Sequence, residues 1–555
     1  MFQPLPHQIQ GLEWIEKTMS NKSNRGFLLA DELGVGKTIQ IALYLKANRI
    51  EGRPDLIVCP GAVVDTWVRE IKRIKDYPEP GSKPKICVFH GSGRKSLLDE
   101  SNWDYVITTY GVLTTSVDTL SDKLWGRIVL DESHSIKNGS GVKRAKAAFE
   151  IAPRAIHKIC ISGTPFNNRM SDVAAQARFI GTAPYDDPNW WKNHGNNPVS
   201  LKIWTEQCML RRTKKELGLG LIPPIYHSIT VKPTVKEAEI VEILRAKAAD
   251  KFRKWSHATG IEKIELQAVI LGLIQKLRIV SNTFYGKEDA YTADDVFRDC
   301  AKIARIVEDI DNRIWEDSRK GVVVFSEFSN MTFDVLECVL REYLIGVQIL
   351  RFTGKESMAA KNEVVDYFNT SKHPRILLAS LTAGSTGISL HHGSSSVFII
   401  EPYYHPFMEK QAEERVHRIG QKEQVHIYKY TMDQSIELWM TGIKSRKQGL
   451  ASSLSLSDMK EGSGCSFKDI AELFKDFVSF TTKDVLKQPI SSSYPTSSCA
   501  SELKTSNDIE DKLEKLQIKN KSNKPNKPNQ PNKPNKPIKP AKMPSMYKKP
   551  KNFLQ

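Results

Sequence analysis

The sequence predicts an α/β fold with two parallel-sheet lobes, joined by a helical segment and followed by a disordered basic tail. Three observations predict it. Apolar runs alternating with helical stretches occur twice along the chain, a turn-poor stretch rich in Ala, Leu, Ile, Glu and Lys separates the two series, and the chain ends in Asn-Lys-Pro repeats. At 555 residues the chain is too long for one core, and a prior of roughly 100–200 residues per domain leads to three or so units.

The first series runs from Phe27 to about Ser162 through FLLA, LIVC, YVITT, RIVLD and KICIS, continuous apolar runs of the kind that helices cover on both faces of a parallel sheet. VVVFS, VQILRF, RILLAS, VFIIE and VHIYKY repeat the pattern from Gly321 to Tyr430. The expected units are residues 1–230, a helical inter-lobe segment at 231–298, and residues 299–450. A linker with short helices is expected over 451–518, where Ser466 is placed to cap an amphipathic helix with its apolar stripe at Phe467, Ile470, Phe474 and Phe477. Residues 519–555 are expected to stay disordered, because the repeats fix an extended backbone and bury nothing.

With 40% hydrophobic and 26% charged residues and no apolar run near about 18 residues, the chain is expected to be soluble, without a membrane span. MFQPLPHQIQ lacks a signal peptide's apolar core. The 8 cysteines are scattered with no CxxC pair, so neither a zinc module nor a disulfide framework is indicated, and a reducing compartment is expected. The net charge is +17, yet residues 519–555 hold 11 lysines and no acid, which leaves about +6 for everything else. Such charge favours polyanions through counterion release, although a lysine-rich run also reads as a solvated tail.

After FLLA comes Asp31-Glu32-Leu33-Gly34-Val35-Gly36-Lys37-Thr38 and then the apolar helix IQIALYL. In such a strand–loop–helix unit the glycines let backbone N–H groups close around phosphates, Lys37 reaches the terminal phosphates and Thr38 holds Mg²⁺. Asp31 stands where the common GxxxxGKT pattern begins with glycine, and a plain glycine-rich turn is the competing reading. Asp131-Glu132-Ser133-His134 follows the strand RIVL, at the carboxyl end where parallel α/β sheets bind ligands. There Asp131 is placed to hold Mg²⁺ through water and Glu132 to orient or deprotonate the water that attacks a γ-phosphate. An ordinary acidic loop is the alternative, weakened by the pairing with Lys37.

In Gln411-Ala412-Glu413-Glu414-Arg415-Val416-His417-Arg418-Ile419-Gly420-Gln421, helical spacing puts Gln411, Arg415 and Arg418 on one face and Ala412, Val416 and Ile419 toward a core. Gly420 reads as a helix C-cap. If the arginine face meets the nucleotide of the first lobe, the guanidiniums neutralise charge developing on the γ-phosphate.

From Leu5 to about Tyr430 the chain resembles the Swi/Snf family of superfamily-two helicase-like DNA translocases, with the motifs in the family's order. LPHQIQGLEWI resembles the segment that reads adenine, which assigns Gln8 to the base. GFLLADELGVGKTIQ resembles the family's phosphate loop, aspartate included, so the resemblance implies nucleotide contacts for Asp31, Gly34, Gly36, Lys37, Thr38 and Gln411. VLDESHSIKN resembles the metal and water motif; ISGTPFNN, with Ser162, Gly163, Thr164 and Pro165, the element coupling hydrolysis to lobe movement; and MLRRTKKEL the basic segment leaving the first lobe. LIVCPGAVVDTWVREI, YVITTYGVL and the stretch from Leu377 to Leu390 resemble elements that touch the DNA backbone, through Pro60, Thr109 and Ser380. HRIGQ separates this family from DEAD-box RNA helicases, and the resemblance assigns the finger roles to Arg415 and Arg418.

The resemblance implies two RecA-like lobes, ATP and Mg²⁺ as cofactors, and an ATP-dependent translocase on double-stranded DNA that remodels protein–DNA complexes in transcription, repair or chromatin. Nucleosomes or polymerase complexes are possible partners, a monomer is expected, and the setting is a nucleus, or a viral factory or virion if the chain is virally encoded. The chain departs from the family at Thr382, Ser385 and Ser389, which puts one DNA-backbone contact in doubt, and at Tyr403, Tyr404 and His405. A zinc-binding RING insert and chromatin-reader segments are not evident. Two other readings remain: a strand-separating DNA or RNA helicase, and a non-enzymatic scaffold with a decayed motor fold.

Overall fold

The computed structural model describes residues 2–74, 83–99, 102–136, 141–163, 165, 173–195, 197–286, 289–316, 321–384, 388–403 and 406–441. Thr164, Ser385, Tyr404 and His405, the expected 466–477 helix, the linker and the tail lie outside the described residues. No helix among the described residues is long and apolar enough to cross a membrane.

β1 (Gly26–Leu29), β2 (Asp55–Cys59), β3 (Ile86–Val88), β4 (Tyr105–Thr109), β5 (Trp125–Asp131), β6 (Ala155–Ile161) and β7 (Met209–Leu210) form one sheet in the order β3-β4-β2-β5-β6-β1-β7. Its strand pairings are all parallel. Side chains of one strand alternate between two cores: Leu28, Val58, Leu130 and Cys160 face one, while Phe27, Leu29, Ile57, Val129 and Ile159 face the other. Helices therefore cover both faces, which is why these strands read as unbroken apolar runs. Gly26 admits no side chain, since a Cβ there would collide with the backbone carbonyl of Lys158 on β6. Arg127 is the polar exception in β5: it is 1% exposed and clasps Asp55 of β2 through two 2.8 Å hydrogen bonds.

β8 (Ile225–Val231), β9 (Gly321–Ser326), β10 (Gln348–Phe352), β11 (Arg375–Ser380), β12 (Ser396–Ile399) and β13 (His426–Met432) form the second sheet, in the order β10-β11-β9-β12-β13-β8 and again with parallel pairings. β8 corrects the expected boundary at residue 230. It pairs with β13 from Ile225↔His426 to Val231↔Met432 and so is an edge strand of the second sheet. The chain therefore crosses between lobes at residues 211–224, and the helices Val235–His257 and Gly260–Val280 follow the second sheet's first strand rather than separating the two sheets. The physical reason is legible in β8 itself: IYHSITV is half exposed along its length, so it never showed the continuous apolar run of a central strand.

Candidate functional site

The phosphate loop leaves the carboxyl end of β1 and turns into the helix Lys37–Ala47. Gly34 and Gly36 adopt φ of 80° and 84°, left-handed conformations that glycine takes without a Cβ clash. Lys37 folds back over the loop, its Nζ donating to the carbonyls of Asp31 at 2.8 Å and Glu32 at 3.1 Å. Burial lowers its pKa, and the charges of Glu132, Asp31 and Asp131 oppose that shift. Thr38 is half-buried in the first turn. Gln8 reaches this loop from the N-terminal helix Pro6–Ser20: its Nε2 lies 3.0 Å from where a Gly36 Cβ would stand, and its Oε1 accepts the Leu5 N–H at 2.9 Å.

Asp31 does not face the loop's interior. It is wholly buried and clasped by Arg212, with Nη2 to Oδ2 at 2.6 Å and Nε to Oδ1 at 3.1 Å, while Arg212 Nη1 also donates to the His7 carbonyl at 2.8 Å. Through Arg212, Asp31 is part of a staple that ties β1, the N-terminal helix and the segment after β7 together.

β5 delivers Asp131 and Glu132 beside Lys37. Asp131 accepts from the Trp67 indole at 2.8 Å and from the Glu132 backbone N–H at 2.9 Å. Burial and the neighbouring Glu132 push its pKa up to about 6. Glu132 sits at φ 51°, an uncommon conformation for a side-chain-bearing residue, and the Ser135 N–H holds its carbonyl at 2.9 Å. Burial alone would raise its pKa, but His134, Lys37 and Arg415 outweigh burial and hold it below the usual carboxylate value. His134 Nδ1 lies 3.2 Å from Glu132 Oε2 and 3.4 Å from Ser162 Oγ, so it touches both the acidic pair and the segment after β6. Gly163 packs so closely on the phosphate loop that a Cβ would overlap the Leu33 side chain, with Lys37 Nζ 3.4 Å away.

The second lobe closes the site. The helix Pro406–Glu413 stops before the arginines, which corrects the expectation of one helical face carrying Gln411, Arg415 and Arg418. Beyond it the chain tightens into turns, with the N–H groups of Arg415 and Val416 donating three residues back to Ala412 and Glu413 at 3.1 Å each. Ala412 and Val416 enter the core as expected, whereas Ile419 is half-buried and its N–H approaches the Gly34 carbonyl at 3.4 Å. Gln411 Nε2 donates to Glu132 Oε1 at 3.4 Å. Arg415 is 6% exposed, and its Nε donates to the Gln411 carbonyl at 2.9 Å. Burial and then the nearby Arg418 lower its pKa to about 10, against the pull of Glu132, Glu414 and Asp131. Arg418 is placed over the phosphate loop, its Cβ 3.1 Å from where a Gly34 Cβ would stand. Gly420 is not the cap of this helix; at φ 98° it makes a turn whose Cβ position falls 2.7 Å from His391 Nε2.

The residues expected to meet DNA line the carboxyl edges of the two sheets. Pro60 follows β2 and is half-buried, and Thr109 ends β4 and caps the next helix by accepting the Val112 N–H at 3.2 Å. Ser380 ends β11 but is 4% exposed, so its hydroxyl offers little surface to a phosphate. Thr382 is exposed two residues later, and Ser389 Oγ lies 2.7 Å from His391 Nδ1. Trp67, His134, Arg212 and Lys214 carry site contacts that sequence reasoning gave no role. An indole or lysine far along the chain leaves no local pattern; for His134 the signal was its place inside DESH.

A model described as the SNF2-related domain matches residues 7–285, about half of the chain, and one described as the helicase conserved C-terminal domain matches residues 301–420. The chain belongs to the SNF2-related family. This SNF2-related protein is 27% identical to the probable global transactivator of Orgyia pseudotsugata multicapsid polyhedrosis virus, over 80% of this chain and 89% of that protein. It is 28% identical to the ISWI chromatin-remodeling complex ATPase ISW2 of Saccharomyces cerevisiae over 78% of this chain, but spans only 39% of that protein. The Sulfolobus solfataricus SWI2/SNF2 ATPase core in complex with dsDNA is similar at 23% identity over 82% of this chain and 94% of that one, with a TM-score of 0.36, too loose a superposition to compare lobe arrangements. As a member of the SNF2-related family, the chain is an ATP-dependent, helicase-like enzyme that hydrolyses ATP.

Proposed function

We propose that the chain is an ATP-driven motor on double-stranded DNA, in which Lys37, Thr38 and Asp131 hold Mg-ATP, Glu132 positions the attacking water, and Arg415 and Arg418 complete the site from the second lobe. The observation that carries the reading is the placement of Arg415, buried across the cleft within electrostatic reach of Glu132 and Asp131. Gln8, Gly34, Gly36 and Gln411 surround the same loop and complete the nucleotide's surroundings.

The side chains suit Mg²⁺. Asp131 is a buried carboxylate whose hydrogen bonds come from neutral donors; burial and then the charge of Glu132 raise its pKa, and a divalent cation would offset both. Among the described residues no group of three His, Cys, Asp or Glu side chains could hold a metal unaided. Thr38 and Asp131 would hold the ion, which would supply positive charge to offset that on the phosphates. Glu132, held low by His134, is available as a hydrogen-bond acceptor for water. Arg415 presents a fixed charge because its guanidinium is already oriented by the Gln411 and Ile388 carbonyls, at 2.9 and 3.3 Å.

In this reading Ser162, Gly163 and Thr164 couple chemistry to lobe movement, since Ser162 touches His134 and Gly163 touches the phosphate loop. If Pro60 and Thr109 on one lobe and the Ser380 segment on the other grip phosphates, each cycle shifts one grip relative to the other without sequence readout. Protein–DNA complexes such as nucleosomes or stalled polymerases, in a nucleus or a viral factory, are the cargo this reading proposes; the engine itself does not specify which. The test compares ATPase rates with duplex DNA, single strands, RNA and nucleosomes. Stimulation by duplex DNA that weakens steeply with salt is expected, and indifference to duplex DNA would sink the proposal. Strand release from a tailed duplex would favour a separating helicase instead.

A further inference from the structure

One carboxylate of the second lobe lies against the phosphate loop and is answered from the first lobe. The segment after β7 is fastened to the first lobe by the Arg212–Asp31 pair and by the Lys214 backbone N–H, which donates to Glu32 Oε2 at 2.7 Å. The Lys214 side chain turns away from these anchors. It ion-pairs with Glu414 across the cleft, and its Nζ also donates to the His417 carbonyl at 2.9 Å. Both side chains are withdrawn from solvent, at 11% and 1% exposed. The place where a Gly34 Cβ would stand is 2.9 Å from Glu414 Oε2 and 3.4 Å from Lys214 Nζ, so loop, carboxylate and ammonium meet at one point.

Glu414 moves with Arg415 and Arg418, so bringing the arginines to a triphosphate also brings a buried negative charge to it. Such a charge repels phosphate oxygens strongly where water cannot screen it. Lys410 lies 3.4 Å from the other Glu414 oxygen, but it belongs to the second lobe, is 40% exposed and accompanies Glu414 whether the lobes are open or closed. Lys37 of the phosphate loop also feels the Glu414 charge, but its ammonium is turned back onto the Asp31 and Glu32 carbonyls, whereas Lys214, fastened to the first lobe through its backbone, ion-pairs with Glu414 directly. We propose that Lys214 is a positioning residue for ATP: it cancels the Glu414 charge when the lobes close, and so lets the arginine segment approach a loop loaded with a triphosphate. The inference rests on the ATP-site reading above.

Because the pair spans two lobes, its loss falls on closure over ATP rather than on the folding of either lobe. Full-length Lys214→Met, Glu414→Gln and the double variant are compared with wild type for ATP KM, kcat and thermal midpoint. Lys214→Met is expected to raise KM about tenfold or more, with kcat less affected and the midpoint unchanged. Glu414→Gln in the same chain is expected to return KM to within about threefold of wild type. A double variant as impaired as Lys214→Met overturns the inference, because Lys214 then acts on the nucleotide directly; so does a fall in midpoint with unchanged KM, which marks a fold staple. An unaltered Lys214→Met KM beside an inactive Lys37→Ala overturns this inference alone. A Lys37→Ala protein as active as wild type overturns the ATP-site reading and this inference with it.

Discussion

Glu132 illustrates how much of a site one residue's surroundings decide. Its oxygens meet His134 and Gln411, one from its own loop and one from the facing lobe, while its neighbour Asp131 carries the raised pKa. The two carboxylates therefore divide the work that a pair of like charges in a dry site cannot share equally. Glu132→Gln keeps the shape and removes the charge, so hydrolysis is expected to fall about 10²–10⁴-fold while nucleotide binding, measured by fluorescence titration, persists. Arg415→Ala is expected to cost about 10³–10⁵ in kcat, read in a single-turnover assay. Trp67→Phe leaves one Asp131 oxygen without its donor, a loss of about 1.5–3 kcal/mol in unfolding free energy; an unchanged denaturation midpoint would show that the indole is not engaged. Lys37, Asp131, Glu132 and Arg415 were readable because their chemistry sits in short local patterns. Trp67 was not, since its partner lies 64 positions away and nothing in DTWVREI announces a hydrogen bond.

At the scale of elements, the sequence revealed strands more reliably than the ends of helices. Every apolar run expected in the first lobe became a strand, because burial on both faces writes itself as continuous hydrophobicity. The helix expected through Gln411–Arg418 ends at Glu413, since the core takes Ala412 and Val416 while the chain must bend toward Gly34, a tertiary demand that periodicity does not record. Buried ion pairs were invisible for the same reason: Arg127 passed for one more position in an apolar strand, and Asp31 for a variant of the phosphate loop. Arg127→Ala strands Asp55 in the core and is expected to destabilise the first lobe by about 3–5 kcal/mol, whereas Arg127→Leu with Asp55→Leu should recover most of that loss. Chemical denaturation of the three proteins checks it, and equal destabilisation by the single and double variants would refute it.

Across the whole molecule, the second lobe carries a buried acid that ties its elements together. Glu401 follows β12 and accepts from Ser326 at 3.0 Å, from Asn282 Nδ2 at 2.9 Å and from the Glu327 backbone N–H. Burial pushes its pKa up to about 7 despite those donors and the nearby Lys302 and Arg278. A raised folded-state value means the contribution of this group is fully present near pH 4.5 and is lost as pH rises toward about 7. Glu401→Gln should therefore match wild type at the acid end and exceed it increasingly up to neutrality; parallel stability curves would refute the assignment. The division of the chain was the least legible feature at this scale. β8 reads as a half-exposed strand of uncertain allegiance, and only its pairing with β13 assigns it to the second sheet.

That allegiance leaves residues 211–224 as the covalent bridge between the two sheets among the described residues. With Arg212 and the Lys214 N–H fastened to the first lobe and the Ile222 and Pro223 carbonyls held by His417 and Gln424 of the second, the free span between the anchors has a fully stretched reach of about 25 Å. Each half is thus held at a high local concentration for the other, so their meeting is governed by a leash rather than by diffusion through solution. A protease cut inside that leash would leave both folded halves intact, yet turn their encounter into a dilution-sensitive event between two separate molecules.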